Sequence, residues 1–310
     1  MIRTFTDQLR QWAEADDLQH VTPQQQALTE RYVLPCLDEI DRLMNRYRDQ
    51  VDLRLADHAR PRPGRKPYPE GYCKEITQQM MADLQKDFAH PQVDCIAKLA
   101  EFIRQGGVFK RIWGDLRGCY FQNAIQVGSL YLDVANDTVD ITKPRVEILS
   151  LADSGFKMIH DISHFVKVAT AYWGGQFFPN TVLPMLAPVL PILHVKKSGI
   201  VRLEADTRAV FARNILQKSR TANAYVKNCI REEKVMPPTM AAQWLDQLST
   251  LTGSALLKER CVHLDKRLLV RAFKRAGKPN AFYQTPEAVN EIIAGMNAVH
   301  ANANTAITQY

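Results

Sequence analysis

The chain has no CxxC pair, no Gly-rich phosphate loop, no Gly-x-Ser-x-Gly elbow, no internal repeat and no low-complexity tract. Its six cysteines, at 36, 73, 95, 119, 229 and 261, stand far apart. That spacing fits neither a zinc ribbon nor the disulfide framework of a small secreted domain, and free thiols are expected. The opening MIRTFTDQLRQWAEADD lacks the apolar stretch of a secretory signal, so the expected location is intracellular and cytoplasmic. The longest apolar run, FFPNTVLPMLAPVLPIL over 177–193, carries prolines at 179, 184, 188 and 191, which forbid a continuous spanning helix. A buried irregular connection is expected there. A membrane-dipping loop or an apolar substrate channel is the alternative, and Lys196 and Lys197 just beyond would suit a lipid surface.

What remains is ordinary globular material: 310 residues, 46% hydrophobic and 24% charged, enough for one or two domains. The net charge of +7 is concentrated. Residues 251–280 hold eight Lys or Arg against Glu259 and Asp265. A basic face from Lys258 to Lys278 is either simply solvated or meets an acidic protein or a membrane surface. Nucleic acid is the poorer fit, because no aromatics interleave with the charges.

The pattern predicts an α+β fold in three parts: an N-terminal helical arm (1–58), an α+β core (59–145) and a helical C-terminal half (146–310). Thr22 followed by Pro23 is a helix start, and Ile40, Leu43, Met44, Tyr47 and Val51 continue at helical spacing, with Pro35 dividing the run. The Pro/Gly-rich stretch 59–71 reads as a linker. Helices are expected from Tyr72 to about Gln85 and over 93–105, and strands in VFKRIWG, GCYFQNAIQV and LYLDVA. Gly128-Ser129 between the last two is a two-residue hairpin turn. After Lys143-Pro144 the chain is expected to be helical apart from the Pro-rich apolar run at 177–193, with one helix taking in VRLEADTRAVFARNIL.

Cys73 stands in the first turn of a predicted helix, where unpaired N–H groups and the positive dipole end favour a thiolate. It is either a prepared nucleophile or a structural thiol. With Val127 opposite Leu130, Gln122 and Asp133 become diagonal neighbours on one hairpin face, within about 7–8 Å. A one-residue change of register would separate them.

These motifs, GYCKEIT at 71–77 and QNAIQVGSLYLDVAND at 122–137, resemble the papain-like superfamily, in particular transglutaminase-like domains and arylamine N-acetyltransferases. There a Gly-x-Cys opens the first core helix, a His opens the next strand, and an Asp follows on the adjoining one. The resemblance, over about 60–142, implies a small papain-like core and thiol-dependent acyl transfer or amide hydrolysis on a peptide, amide or acyl-thioester substrate, without a cofactor. Cys73 would be the nucleophile and Asp133 the orienting acid, while Gln122 falls where the His belongs. An amide cannot shuttle a proton, so a catalytically silent binding or adaptor module is the alternative.

A separate candidate lies in MIHDISHF, where His160 and His164 stand four apart, as two metal ligands on one helix face would. Glu147, Glu204 or Asp206 would complete a helical iron, manganese or zinc site, and the protein would then be a metalloenzyme. The same two His also fit a base that swings toward Cys73, or the polar flank of an amphipathic helix.

Overall fold

The computed structural model describes residues 4–56, 67–204, 208–248, 259–278 and 285–288. The fold is mixed α and β, more helical than stranded, with antiparallel sheets. It divides differently from the three parts read in the sequence. One compact unit is Asp16–Met158, and the other joins the first fifteen residues, with helix α1 (Phe5–Glu14), to the chain from Ile159 onward. The predicted boundary near 58 fails because the helices within 23–56 share one core with the sheet strands of the same unit, while α1 belongs to the other unit.

In the first unit, Thr22 caps α2 (Pro23–Tyr32) by accepting from the Gln25 amide, with Pro23 in the first turn. Pro35 ends that helix as expected: a 3-10 turn (Leu34–Cys36) intervenes before α3 (Leu37–Ala56). Helices α4 (Cys73–Ala89) and α5 (Asp94–Arg104) follow. Ile40, Met44 and Val51 of α3 share one core with Ile76, Met80 and Leu84 of α4 and with Ile96 and Leu99 of α5.

Strands β1 (Phe109–Leu116), β2 (Tyr120–Val127), β3 (Leu130–Asp133), β4 (Glu147–Ser150) and β5 (Phe156–Lys157) form an antiparallel sheet in the order β4-β3-β2-β1-β5, with a single helical turn α6 (Leu151–Ser154) between the last two. The hairpin has the expected register, Val127 opposite Leu130. Gly128 turns it at φ +59°, and a Cβ there would lie 2.1 Å from Thr29 Oγ1. That hydroxyl accepts from the Ser129 amide at 3.0 Å, so α2 is fastened to the turn. Across the sheet, Ile125, Val127, Leu130 and Leu132 point into the helical core, and strand alternation sends their neighbours the other way.

Arg48 of α3 is fully buried. It makes two hydrogen bonds to Asp137, at 2.8 and 3.0 Å, and donates to the Val134 carbonyl at 3.0 Å and to Asp52 at 2.5 Å. Tyr68 donates to the same Asp52, so a single guanidinium ties α3 to the chain after β3 and to the approach to α4. Of the Pro-rich linker, 59–66 lies outside the described residues.

The second unit corrects the expectation of an all-helical C-terminal half. After α7 (Ile162–Trp173) come β6 (Gln176–Pro179), β7 (Ile192–Val195) and β8 (Val201–Glu204), an antiparallel sheet in chain order. The stretch VRLE is a strand, its Val201 and Leu203 buried and Arg202 and Glu204 half-buried, which is a period of two. Helices α8 (Arg208–Leu216), α9 (Arg220–Arg231), α10 (Pro238–Gln247) and α11 (Lys266–Ala276) complete the unit.

The Pro-rich run is a buried irregular connection, as expected. Asn180 clamps it, donating to the Leu190 carbonyl at 2.8 Å and accepting from the Leu183 amide at 3.0 Å. Its apolar side chains from Val182 to Leu193 are buried, while Phe177 and Phe178 are half-buried. Among the described residues no helix is long and apolar enough to cross one.

Candidate functional site

Cys73 occupies the first position of α4, where the sequence placed it. Tyr72 supplies no side-chain cap to the helix start. Asn123 Nδ2, from β2, donates to the sulfur at 3.4 Å, and Thr77 Oγ1, one turn along α4, bonds the Cys73 and Asn123 carbonyls. These contacts seat the start of α4 on the middle of β2. Burial is the dominant influence on the thiol and pushes its pKa up. The Asn123 hydrogen bonds act against burial, and the Asp133 charge acts with it, but the net direction is away from a thiolate.

Gln122 and Asp133 do meet. Gln122 Nε2 donates to Asp133 Oδ2 at 2.7 Å and to the Ala135 carbonyl at 3.1 Å. Asp133 accepts further bonds from the Tyr131 hydroxyl at 2.9 Å and the Ala135 amide at 2.8 Å. Both residues are wholly buried, and Gln122 Oε1 has no partner among the described residues. Desolvation raises the Asp133 pKa to about 6, against the lowering effect of its three donors.

The pair nevertheless faces away from the sulfur. Asn123 is the β2 residue that points at Cys73, so adjacent Gln122 points to the opposite face. Tyr131 lies on that opposite face with Asp133 and packs against Phe156, not against α4. The structure therefore corrects the predicted grouping: Gln122 and Asp133 come together, Cys73 does not join them, and the missed partner is Asn123. Opposite Asn123, by continuation of the hairpin register, stands the apolar Val134.

No imidazole is hydrogen-bonded to the sulfur among the described residues. His90 caps the far end of α4, roughly 25 Å along the axis of a helix of that length. His20 follows Gln19, whose backbone exchanges hydrogen bonds with the Gln126 amide on the face shared with Gln122. His58 lies outside the described residues.

The metal candidate also changes. Asp161 is the N-cap of α7, accepting from the His164 amide at 2.8 Å, so the helix starts at Ile162 and His160 stands before it. The two rings stack, centroids 5.7 Å apart, and the His160 amide donates to His164 Nδ1 at 3.4 Å. Glu147 is paired with Arg117 at 2.8 Å, and Glu204 lies 3.7 Å from His194 Nδ1. Asp206 lies outside the described residues. Among the described residues no group of three or more His, Cys, Asp or Glu side chains is placed to hold a metal ion.

Comparison of the chain with protein-family models, with curated proteins and with solved structures returned no match in any of the three.

Proposed function

We propose that this protein works by binding rather than by acyl transfer, its first unit being a catalytically silent relative of the papain-like, transglutaminase-like core that its motifs resemble. The observation that carries this reading is the placement of Cys73 and Asp133 on opposite faces of one sheet. Acyl transfer at a thiol needs a base that takes the proton, holds the thiolate and returns the proton to the leaving group. Among the described residues the side chain hydrogen-bonded to the sulfur is the Asn123 amide, which does not titrate near neutral pH. The buried carboxylate is engaged with three donors on the far face, so it orients nothing at Cys73.

The test is iodoacetamide alkylation of the full chain across pH, resolved by mass spectrometry so that Cys73 is followed apart from the other five thiols. The expected midpoint lies above the free-thiol value of about 8.5. A midpoint more than about one unit below that value would restore the nucleophile and overturn the proposal.

A further inference from the structure

The second unit contains a groove unrelated to Cys73, between α9 and α11. Both helices turn an i, i+3, i+4, i+7 stripe toward it. Val226 and Leu269 are buried and form its floor, while Ile230, Val270 and Phe273 line its walls. Val270 is 50% exposed, a large aliphatic side chain left in water by the fold. Lys227 and Lys266, one from each helix, stand on the rim, and neither has an ion-pair partner among the described residues.

The cavity measures about 190 Å³. That is below the roughly 300–1,000 Å³ of sites that enclose a small molecule, and matches a few side chains projecting from a larger object. A concave apolar floor between two helices is the shape that accepts the apolar stripe of a third helix. It does not suit a lipid surface, which needs a protruding apolar face. The charge specifies the visitor further. Helix α11, KRLLVRAFKRA, carries five cations and no acidic residue, and among the described residues Arg271 alone of them is matched, to Glu259 at 2.6 and 2.8 Å.

We infer that this groove docks an acidic amphipathic helix from a partner protein, apolar side chains seated over Val226 and Leu269 and carboxylates over Lys227 and Lys266. The inference stands on the second unit alone and holds whether or not Cys73 is catalytic. It also gives a role to the cations of α11, which draw in and orient the partner while the apolar floor retains it; Lys258 lies outside the described residues.

The experiment titrates the full chain into a fluorescein-labelled synthetic helix of about four turns, with Leu on an i, i+3, i+4, i+7 stripe and Glu elsewhere. A second probe carries Lys in place of Glu. Binding of the Glu probe is read by anisotropy and is expected to weaken at least tenfold on Val270→Asp and on the double change Lys227→Glu, Lys266→Glu, and to weaken with added salt. The Lys probe should not bind. Val270 and both lysines are exposed, so circular dichroism of the variants should match the parent. Four results would each overturn the inference. They are no binding of the Glu probe, binding that ignores these substitutions, equal binding of the two probes, or a groove occupied instead by a second copy, seen as a dimer in sedimentation that Val270→Asp dissolves. Uptake onto anionic vesicles that the Glu probe fails to displace would assign the cations to lipid and overturn it as well.

Discussion

Gln122 Nε2 donates to Asp133 Oδ2 at 2.7 Å on a fully buried sheet face. Because desolvation outweighs this bond and its two companions, the folded-state pKa is about 6, above the unfolded value of about 3.9. The folded protein therefore holds the proton more tightly, and the contribution of Asp133 to stability falls as pH rises from about 4 to about 6. The loss amounts to about 3 kcal/mol at most. Urea unfolding of the parent and of Asp133→Asn at a series of pH values should show the parent losing stability relative to the variant across that window. Parallel curves would contradict the assignment.

The alternation of β2 makes a prediction that separates two neighbours. Asn123→His would bring an imidazole to the Cys73 sulfur and lower its alkylation midpoint by about one unit or more. Gln122→His would leave the midpoint where it is, since that side chain points to the other face. Asn123→Ala, which removes a donor that favours the thiolate, should raise the midpoint.

Arg48 is expected to be among the costliest single substitutions. Arg48→Met leaves Asp137 buried without its counter-ion and should cost about 3–5 kcal/mol. The double variant Arg48→Met, Asp137→Leu should recover a substantial part of that loss, because no uncompensated charge remains. Chemical unfolding of the four members of the cycle checks both statements. Full additivity would mean that the pair is not coupled.

Gly128→Ala meets two obstacles: a backbone at φ +59° and a Cβ 2.1 Å from Thr29 Oγ1. The left-handed conformation alone costs about 1–2 kcal/mol, and the clash adds to it. In a Thr29→Ala background the clash is gone, so the same substitution should cost only the backbone share. An equal cost in both backgrounds would show that the hydroxyl moves aside freely.

The local features were legible because local chemistry sets them. Thr22-Pro23, Pro35 and Gly128-Ser129 each fix a backbone conformation within a few residues, and all three stand where the sequence puts them. The face of Asn123 was also legible in principle. Ile125 and Val127 are the apolar alternates of β2, and counting back from them places 123, not 122, toward the helices. The motif resemblance pointed to Gln122 instead. For His160 the overlooked signal was Asp161, an N-cap residue immediately before the helical run. Strand β8 was hidden by brevity: four alternating residues next to a helical pattern carry little periodicity, and their partner strand is fixed by tertiary pairing. The pairing of α1 with α8 has no local signature at all, since composition says nothing about which distant face a helix covers.

Leu9 and Ala13 of α1 share a core with Phe211, Ala212 and Ile215 of α8. In chain order, then, Asp16–Met158 is an insertion within a host whose two halves flank it. During synthesis from the N-terminus the inserted unit is complete before its host has a second half, and domains generally fold as units as they emerge. Helix α1 must wait through the whole of that interval for the surface that will cover its apolar side.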